Sequence, residues 1–151
     1  MMKNLENDEI KYTLQNNYIG HLGYIYNQRP FVVPITYYYD EQNHSIICYS
    51  GEGHKVMAMR KNNAVSLQVN DVNSVNNWKS VLVHGTFEQH FGSDAKAFLH
   101  QFSLGVKDII TEKEHKRPNF ISDFSSKIYK EDVPIVFLIK IEEITGKKRQ
   151  F

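Results

Sequence analysis

The run Cys48-Tyr49-Ser50-Gly51-Glu52-Gly53-His54-Lys55 gathers a hydroxyl, two glycines, an imidazole and an ammonium where a strand-like pattern gives way to a helical one. A helix that begins here leaves its first backbone N–H groups unpaired, and its dipole favours an anion. Ser50 adds a donor, Gly51 and Gly53 allow close approach of the backbone, and Lys55 adds a formal charge. These residue types at this spacing suit the holding of a phosphate. A solvated lysine on a flexible loop is the competing interpretation.

Other chemistries find less support. The loop is not a Walker A sequence, because Gly51 and Gly53 stand too close and no Gly-Lys-Ser/Thr triplet follows. A dinucleotide fingerprint fails at Val56, where its third glycine belongs. The seven histidines form no His-x-x-x-His pair and sit in no carboxylate motif, so no metal site is expected. No Gly-x-Ser-x-Gly elbow is present. Glu142 and Glu143 are consecutive on an expected strand and face opposite ways, which leaves a two-carboxylate hydrolase unsupported. Two oddities accompany the phosphate candidate. Pro34 interrupts a strong strand pattern, so an edge, a bulge or a ligand-facing segment is expected there. Trp78-Lys79-Ser80 opens a long strand with an aromatic, a cation and a hydroxyl, and in a barrel Lys79 and Lys55 could meet one anion. A solvated strand end with a half-buried tryptophan explains that triplet equally well.

The elements that position these residues follow from periodicity. Asn7 to Asn16 reads as a short helix with Ile10 and Leu14 on one face. Ile19 to Tyr26, Pro30 to Tyr39 and His44 to Ser50 read as three strands joined by turns at Asn27–Arg29 and Asp40–Asn43. Gly53 to Asn63 is helical by composition, with Val56, Met59 and a third candidate, Met57, turned inward. Ala64 to Val69 alternates, Asp71 to Asn77 reads as a polar loop, and Trp78 to His90 is a long strand. Ser93 is an N-cap candidate for a helix carrying Ala95, Phe98, Leu99 and Phe102 at core spacing. Thr111 to Asn119 reads as a charged loop, Ile121 to Tyr129 as a short helix, and Pro134 to Thr145 as the last strand. Strands arrive in adjacent runs, which predicts an α+β, mainly β fold: six antiparallel strands closed into a small barrel with short flanking helices.

The bulk composition sets bounds on function. The chain has 151 residues, enough for one domain spanning 1–151, and a 41% apolar share supplies a core. Its 18 basic and 17 acidic residues nearly cancel, so a general nucleic-acid binder is not expected. The basic runs Lys113–Arg117 and Lys147–Arg149 read as solvated surface or tail. Cys48 is the sole cysteine and sits in an apolar strand pattern, which marks it as an inert buried thiol. No signal peptide and no apolar run long enough for a bilayer is visible, so the expectation is a cytoplasmic protein without membrane contact.

Five segments in order resemble the FMN-binding split-barrel family related to pyridoxamine 5′-phosphate oxidase, and most closely its nitroimidazole-resistance branch. Ile19-Gly20-His21-Leu22-Gly23 is similar to that family's opening strand, and Arg29 to Tyr37 to its P-x-V-V-P-V-S/T-Y strand. Tyr49 to Lys55 resembles its H-S-x-x-G-x-K loop, Trp78 to Gly85 its W-R-S-V-V-V-x-G strand, and Ile144-Thr145-Gly146-Lys147 its closing L-T-G-K. The resemblance implies a split barrel, a homodimer, and a flavin mononucleotide (FMN) at each end of the dimer interface. Carried onto this chain, Ser50, Gly53 and Lys55 hold the phosphate, helped by Lys79 and Ser80. Val33, Pro34, Ile35 and Thr36 line the ring system, and His54 lies beside both. Lys79 replaces the family's arginine and gives up its bidentate fork, and Tyr49 replaces a histidine. The implied activity is reduction of small oxidised organic molecules such as nitroaromatics, with NAD(P)H as a candidate donor. The arginine- and histidine-bearing substrate-phosphate segment of the oxidases themselves is not evident near the C-terminus. The implied alternative is a non-catalytic binder of flavin, haem or deazaflavin, with His54 or His84 as an axial ligand.

Overall fold

The computed structural model describes residues 2–114 and 134–151. The expected helix at Ile121–Tyr129 and the end of the expected 111–119 loop lie outside these residues. In chain order the elements are β1 (Met2–Asn4), α1 (Asn7–Gln15), β2 (Ile19–Tyr26), β3 (Arg29–Asp40), β4 (Ser45–Ser50), α2 (His54–Lys61), β5 (Ala64–Ser74), β6 (Asn77–His90), α3 (Gly92–Glu114) and β7 (Ile135–Gln150). Every strand pairing is antiparallel. The order is β1-β7-β4-β3-β2-β5-β6, and a β6–β7 pairing closes it into a barrel.

The sheet has seven strands rather than the six expected. The extra one, β1, is three exposed residues with no apolar alternation, so nothing local marks it. It forms because β7 continues past Thr145: Lys147, Lys148 and Arg149 pair with Asn4, Lys3 and Met2 on one side and with Ser80, Lys79 and Trp78 on the other. The basic run is therefore a strand and not a tail. The expected polar loop at 71–77 is also strand, since β5 and β6 continue as one hairpin to a turn after Ser74, with a register shift between Val72 and Ser74. The backbone ladder, not side-chain burial, carries that extension. Residues 111–114, expected as loop, complete the last turn of α3. That helix starts at Gly92 with φ +58°, so Ser93 lies in its first turn rather than at the cap.

Alternation fills the barrel from the inward faces. Leu22, Tyr37, Ile46, Cys48, Leu67, Val81, Val83 and Ile139 are buried together, joined by Val56 and Met59 of α2. Met57 stands outside at 38% exposure, on the opposite face of that helix. Cys48 is fully buried, and burial pushes its thiol pKa well above the ordinary value, as expected for an unreactive cysteine. A second cluster lies outside the barrel wall, where Leu99, Phe102, Val106 and Ile110 of α3 cover Ile47 of β4 with Val136 and Leu138 of β7.

The α3 helix reaches its seat because Gly105 carries no side chain. A Cβ at that position would stand 2.1 Å from the Tyr38 ring. Gly105→Ala is expected to cost roughly 1–3 kcal/mol in urea unfolding, and pairing it with Tyr38→Ala should recover part of the loss. Additive costs in the double variant would place the clash elsewhere.

Candidate functional site

The barrel is open along one line. Strands β3 and β4 pair only from Tyr37↔Cys48 to Asp40↔Ser45. Before Tyr37, β3 pairs with β2 alone, from Arg29↔Tyr26 to Thr36↔Ile19. The edge of β3 that carries Val33, Pro34, Ile35 and Thr36 is therefore free of β4. Pro34 is tolerated there because an unpaired edge needs no donated bond. Val33 and Thr36 are half-buried, Pro34 is exposed, and Ile35 is in the core. On the other lip, β4 ends at Ser50 and the chain turns through Gly51, Glu52 and Gly53 into α2.

The start of α2 has the properties of an anion cradle. Its N-cap is Gly53, with no side-chain cap, and the first turn holds no acidic residue. The first intrahelical bond is donated by Met57 N–H to the Gly53 carbonyl, so the preceding N–H groups have no helical partner. Glu52, the one nearby acid in sequence, is held by Arg60 at 2.6 Å, away from the cradle's charge balance. Lys55 is half-buried and makes no ion pair among the described residues. Ser50 is buried, and its hydroxyl donates to the Gly51 carbonyl at 2.9 Å. Gly53 has extended backbone, and a Cβ at Gly51 or Gly53 would meet nothing within 4 Å. The glycines therefore leave open space in front of the helix rather than relieving strain.

His54, the first residue of α2, is seated among aromatic rings. Its Nδ1 lies 3.0 Å from the Tyr24 hydroxyl. The imidazole meets Tyr26 and Phe31 edge-on at 4.9 and 5.0 Å, and Tyr24 stacks on Phe31 at 5.3 Å. Lys61 lies over the Tyr26 ring. None of these aromatic partners was anticipated from sequence. A signal existed: a two-residue turn at Asn27-Gln28, both with positive φ, pairs Tyr26 with Arg29 and Tyr24 with Phe31.

Lys79 and Ser80 stand elsewhere in this chain. Ser50 pairs with Ile135 at the start of β7, whereas Lys79 and Ser80 pair with Lys148 and Lys147 near its end. Lys55 and Lys79 are therefore at opposite ends of the barrel, and the structure does not bring them together. The two β6 residues also face opposite ways. Lys79 turns toward α1, with its ammonium 3.8 Å from Glu9. Lys148 reaches the same carboxylate at 2.9 Å, and its hydrogen bond holds the Glu9 pKa below the usual carboxylate value. Ser80 lies on the outer face and accepts from Gln68 at 2.9 Å. His21 bonds Gln68 on that face at 2.9 Å, and His84 bonds the Ser66 hydroxyl at 2.7 Å. Among the described residues no three His, Cys, Asp or Glu side chains cluster as a metal site requires. No helix among them is long and apolar enough to cross a membrane.

Comparison with known proteins bears on this geometry. A family model described as pyridoxamine 5′-phosphate oxidase matches residues 6–148. An uncharacterized protein of Rhizobium meliloti, RA0666, is 28% identical over 122 residues, covering 80% of this chain and 78% of the relative. A FAD-binding protein of Mesorhizobium loti superposes with a TM-score of 0.74 at 25% identity, over 99% of each chain. The barrel also matches, as a fold, a candidate 5-nitroimidazole antibiotic resistance protein of Bacteroides thetaiotaomicron, with a TM-score of 0.62 at 18% identity over 98% of this chain and 89% of that one.

Proposed function

We propose that this chain, which belongs to the pyridoxamine 5′-phosphate oxidase family and has its split-barrel fold, is a flavoprotein that binds FMN in the opening between β3 and α2. The observation that carries this reading is the uncapped, acid-free start of α2 beside the unpaired edge of β3. An anion at that helix start gains backbone N–H donors, the dipole and the Lys55 ammonium together. On that edge Pro34 offers a carbonyl but no N–H and Thr36 offers both groups, which suits the polar edge of a flat heteroaromatic ring, while Val33 supplies apolar contact. The FAD-binding protein of M. loti supports a flavin on this fold. FMN is the form proposed because the cradle ends in one anion site.

The proposed activity is reduction of small oxidised organic compounds, nitroaromatics first among them, with NAD(P)H as electron donor. A bound flavin supplies the two-electron redox chemistry, and the protein binds and orients it. The role of this chain's own residues is to clamp the phosphate at Lys55, with the Ser50 hydroxyl turning from the Gly51 carbonyl to the ligand, and to hold the ring along residues 33–36. A substrate then has one ring face on which to stack. Purified protein should take up FMN from solution and lose flavin absorbance on NAD(P)H addition, recovering it with a nitroaromatic. Protein that ignores FMN in a titration refutes the proposal. A haem Soret band in its place would turn it to the storage or sensing alternative.

The proposed assembly is a homodimer through the outer face of β2, β3, β5 and β6. That face exposes Ile19, Ile25 and Val32 at 47, 39 and 69%, beside the polar pairs His21–Gln68 and Ser66–His84. Apolar exposure of this kind on a sheet needs a cover. Ser80 shares the face and so approaches a partner's site, whereas Lys79, engaged with Glu9, does not. Val32→Glu is expected to move the sedimenting species from twice the chain mass of 17.7 kDa to that mass at micromolar concentration. A wild-type monomer would overturn the assembly.

A further inference from the structure

We infer that Tyr24 is a positioning residue: it locks His54 as the Nε2–H tautomer and so presents a directed N–H donor at the anion cradle of α2. The inference rests on the FMN-binding reading. The Tyr24 ring is buried, at 5% exposure, and its hydroxyl lies 3.0 Å from His54 Nδ1. Either atom can be the donor in such a pair. If Nδ1–H donated to the phenol, the phenol proton would need a second acceptor. Among the described residues no other hydrogen bond reaches that hydroxyl, and with His54 exposed only water is left to take its proton; phenol is the stronger acid and an imidazole nitrogen the stronger base, so the stronger bond runs from the phenol to Nδ1. If the phenol donates to Nδ1, every polar atom of the contact is satisfied. The ring proton then sits on Nε2.

The surroundings hold the imidazole in that pose. Tyr26 and Phe31 meet it edge-on, and the Tyr24–Phe31 stack prevents the phenol from swinging away. His54 Nε2 makes no hydrogen bond to any described residue. His54 is also the first residue of α2 and the neighbour of Lys55, and we assign its remaining donor to the anion at that helix start. A neutral imidazole in this role adds direction without adding charge. The ligand class it recognises is a phosphate monoester, which accepts such a bond where the free alcohol of riboflavin offers only a weak acceptor.

The two sources of His54's effect separate by isostere. Glutamine places its amide NH2 near the position of Nε2, whereas asparagine reaches only as far as Nδ1. Binding of FMN and of riboflavin should be measured by flavin fluorescence for wild type, His54→Asn, His54→Gln and Tyr24→Phe. The expected result is a drop of roughly tenfold in FMN affinity for His54→Asn with riboflavin unchanged, a smaller drop for His54→Gln, and a few-fold drop for Tyr24→Phe. In parallel, nitrogen NMR of the ligand-free protein, at a pH where the ring is neutral, should show one His54 tautomer protonated at Nε2. Tyr24→Phe should convert it to a tautomer mixture. A wild-type ring protonated at Nδ1, or an FMN-to-riboflavin preference untouched by all three variants, overturns the inference while leaving FMN binding intact. Wild-type protein that binds neither flavin fails the broader proposal instead, and the NMR result still decides the tautomer.

Discussion

Lys55→Ala is expected to weaken FMN binding by roughly ten- to a hundredfold while leaving riboflavin binding nearly unchanged. A charge-assisted hydrogen bond to a dianionic phosphate contributes about 1.5–3 kcal/mol, and each 1.4 kcal/mol is about tenfold in affinity. The effect belongs at the high end for three reasons. Lys55 is half-buried, so solvent screens it less than a free surface lysine. It makes no competing ion pair among the described residues, so its charge is available to a ligand. The nearest acid in sequence, Glu52, is occupied by Arg60. Folding should be little affected, because the buried residues of α2 are Val56, Ala58 and Met59. Fluorescence titration with both flavins, alongside thermal unfolding, checks the claim. An unchanged FMN affinity in a folded variant would move the phosphate away from α2. Lys79→Ala offers the internal contrast. Its ammonium faces Glu9 at the other barrel end, so its effect on FMN binding should be small compared with Lys55→Ala.

Gly85→Ala is the substitution expected to damage the fold most, by about 3 kcal/mol or more, a large share of the stability of an ordinary domain. The barrel closes through the β6–β7 pairing, and that pairing contains a bulge: His84 faces Glu143, but Gly85 faces Ile141. Gly85 sits at this kink with β7 backbone directly against it. A Cβ there would lie 2.3 Å from the Lys140 carbonyl oxygen and 2.8 Å from the Ile139 side chain. Backbone cannot swing aside as a side-chain tip does, so the two closing strands must part. Gly23→Ala is the matched control on the outer face, where the nearest atoms stand 3.8 Å away. Urea unfolding should separate the two variants clearly, and equal stabilities would show that the seam tolerates widening.

Much of this molecule is legible in its chain, and the misses share one cause. The alternation of Phe137, Ile139 and Ile141 marks the barrel face of β7 and the helical spacing of Leu99 and Phe102 the inner face of α3, because a face repeats with the period of the local backbone, whereas the burial of Val136 and Leu138 on the other face of β7 depends on the distant cover of α3. The strand-to-helix change after Ser50 likewise marks the start of α2, since a helix start is a local event. Three features resist such reading. β1 is three exposed residues whose strand exists only because β7 offers an edge. The 71–77 segment is held by a ladder between polar strands, which leaves no apolar pattern. Lys147–Arg149 looks like a solvated tail until both of its neighbours are known.

The candidate site divides along the same line. Residue types and order alone established an antiparallel, mainly β chain with a phosphate-suited loop at Ser50–Lys55 and a proline-marked edge at Pro34. Only the folded barrel decided that this edge and this loop flank one opening, that Lys79 looks instead toward α1, and that Tyr24 meets His54. The physical reason is that periodicity reports which side of an element is buried, while strand register and the point of closure determine which distant residues become neighbours. Register is a property of the whole sheet, summed over many pairings, and no short segment carries it.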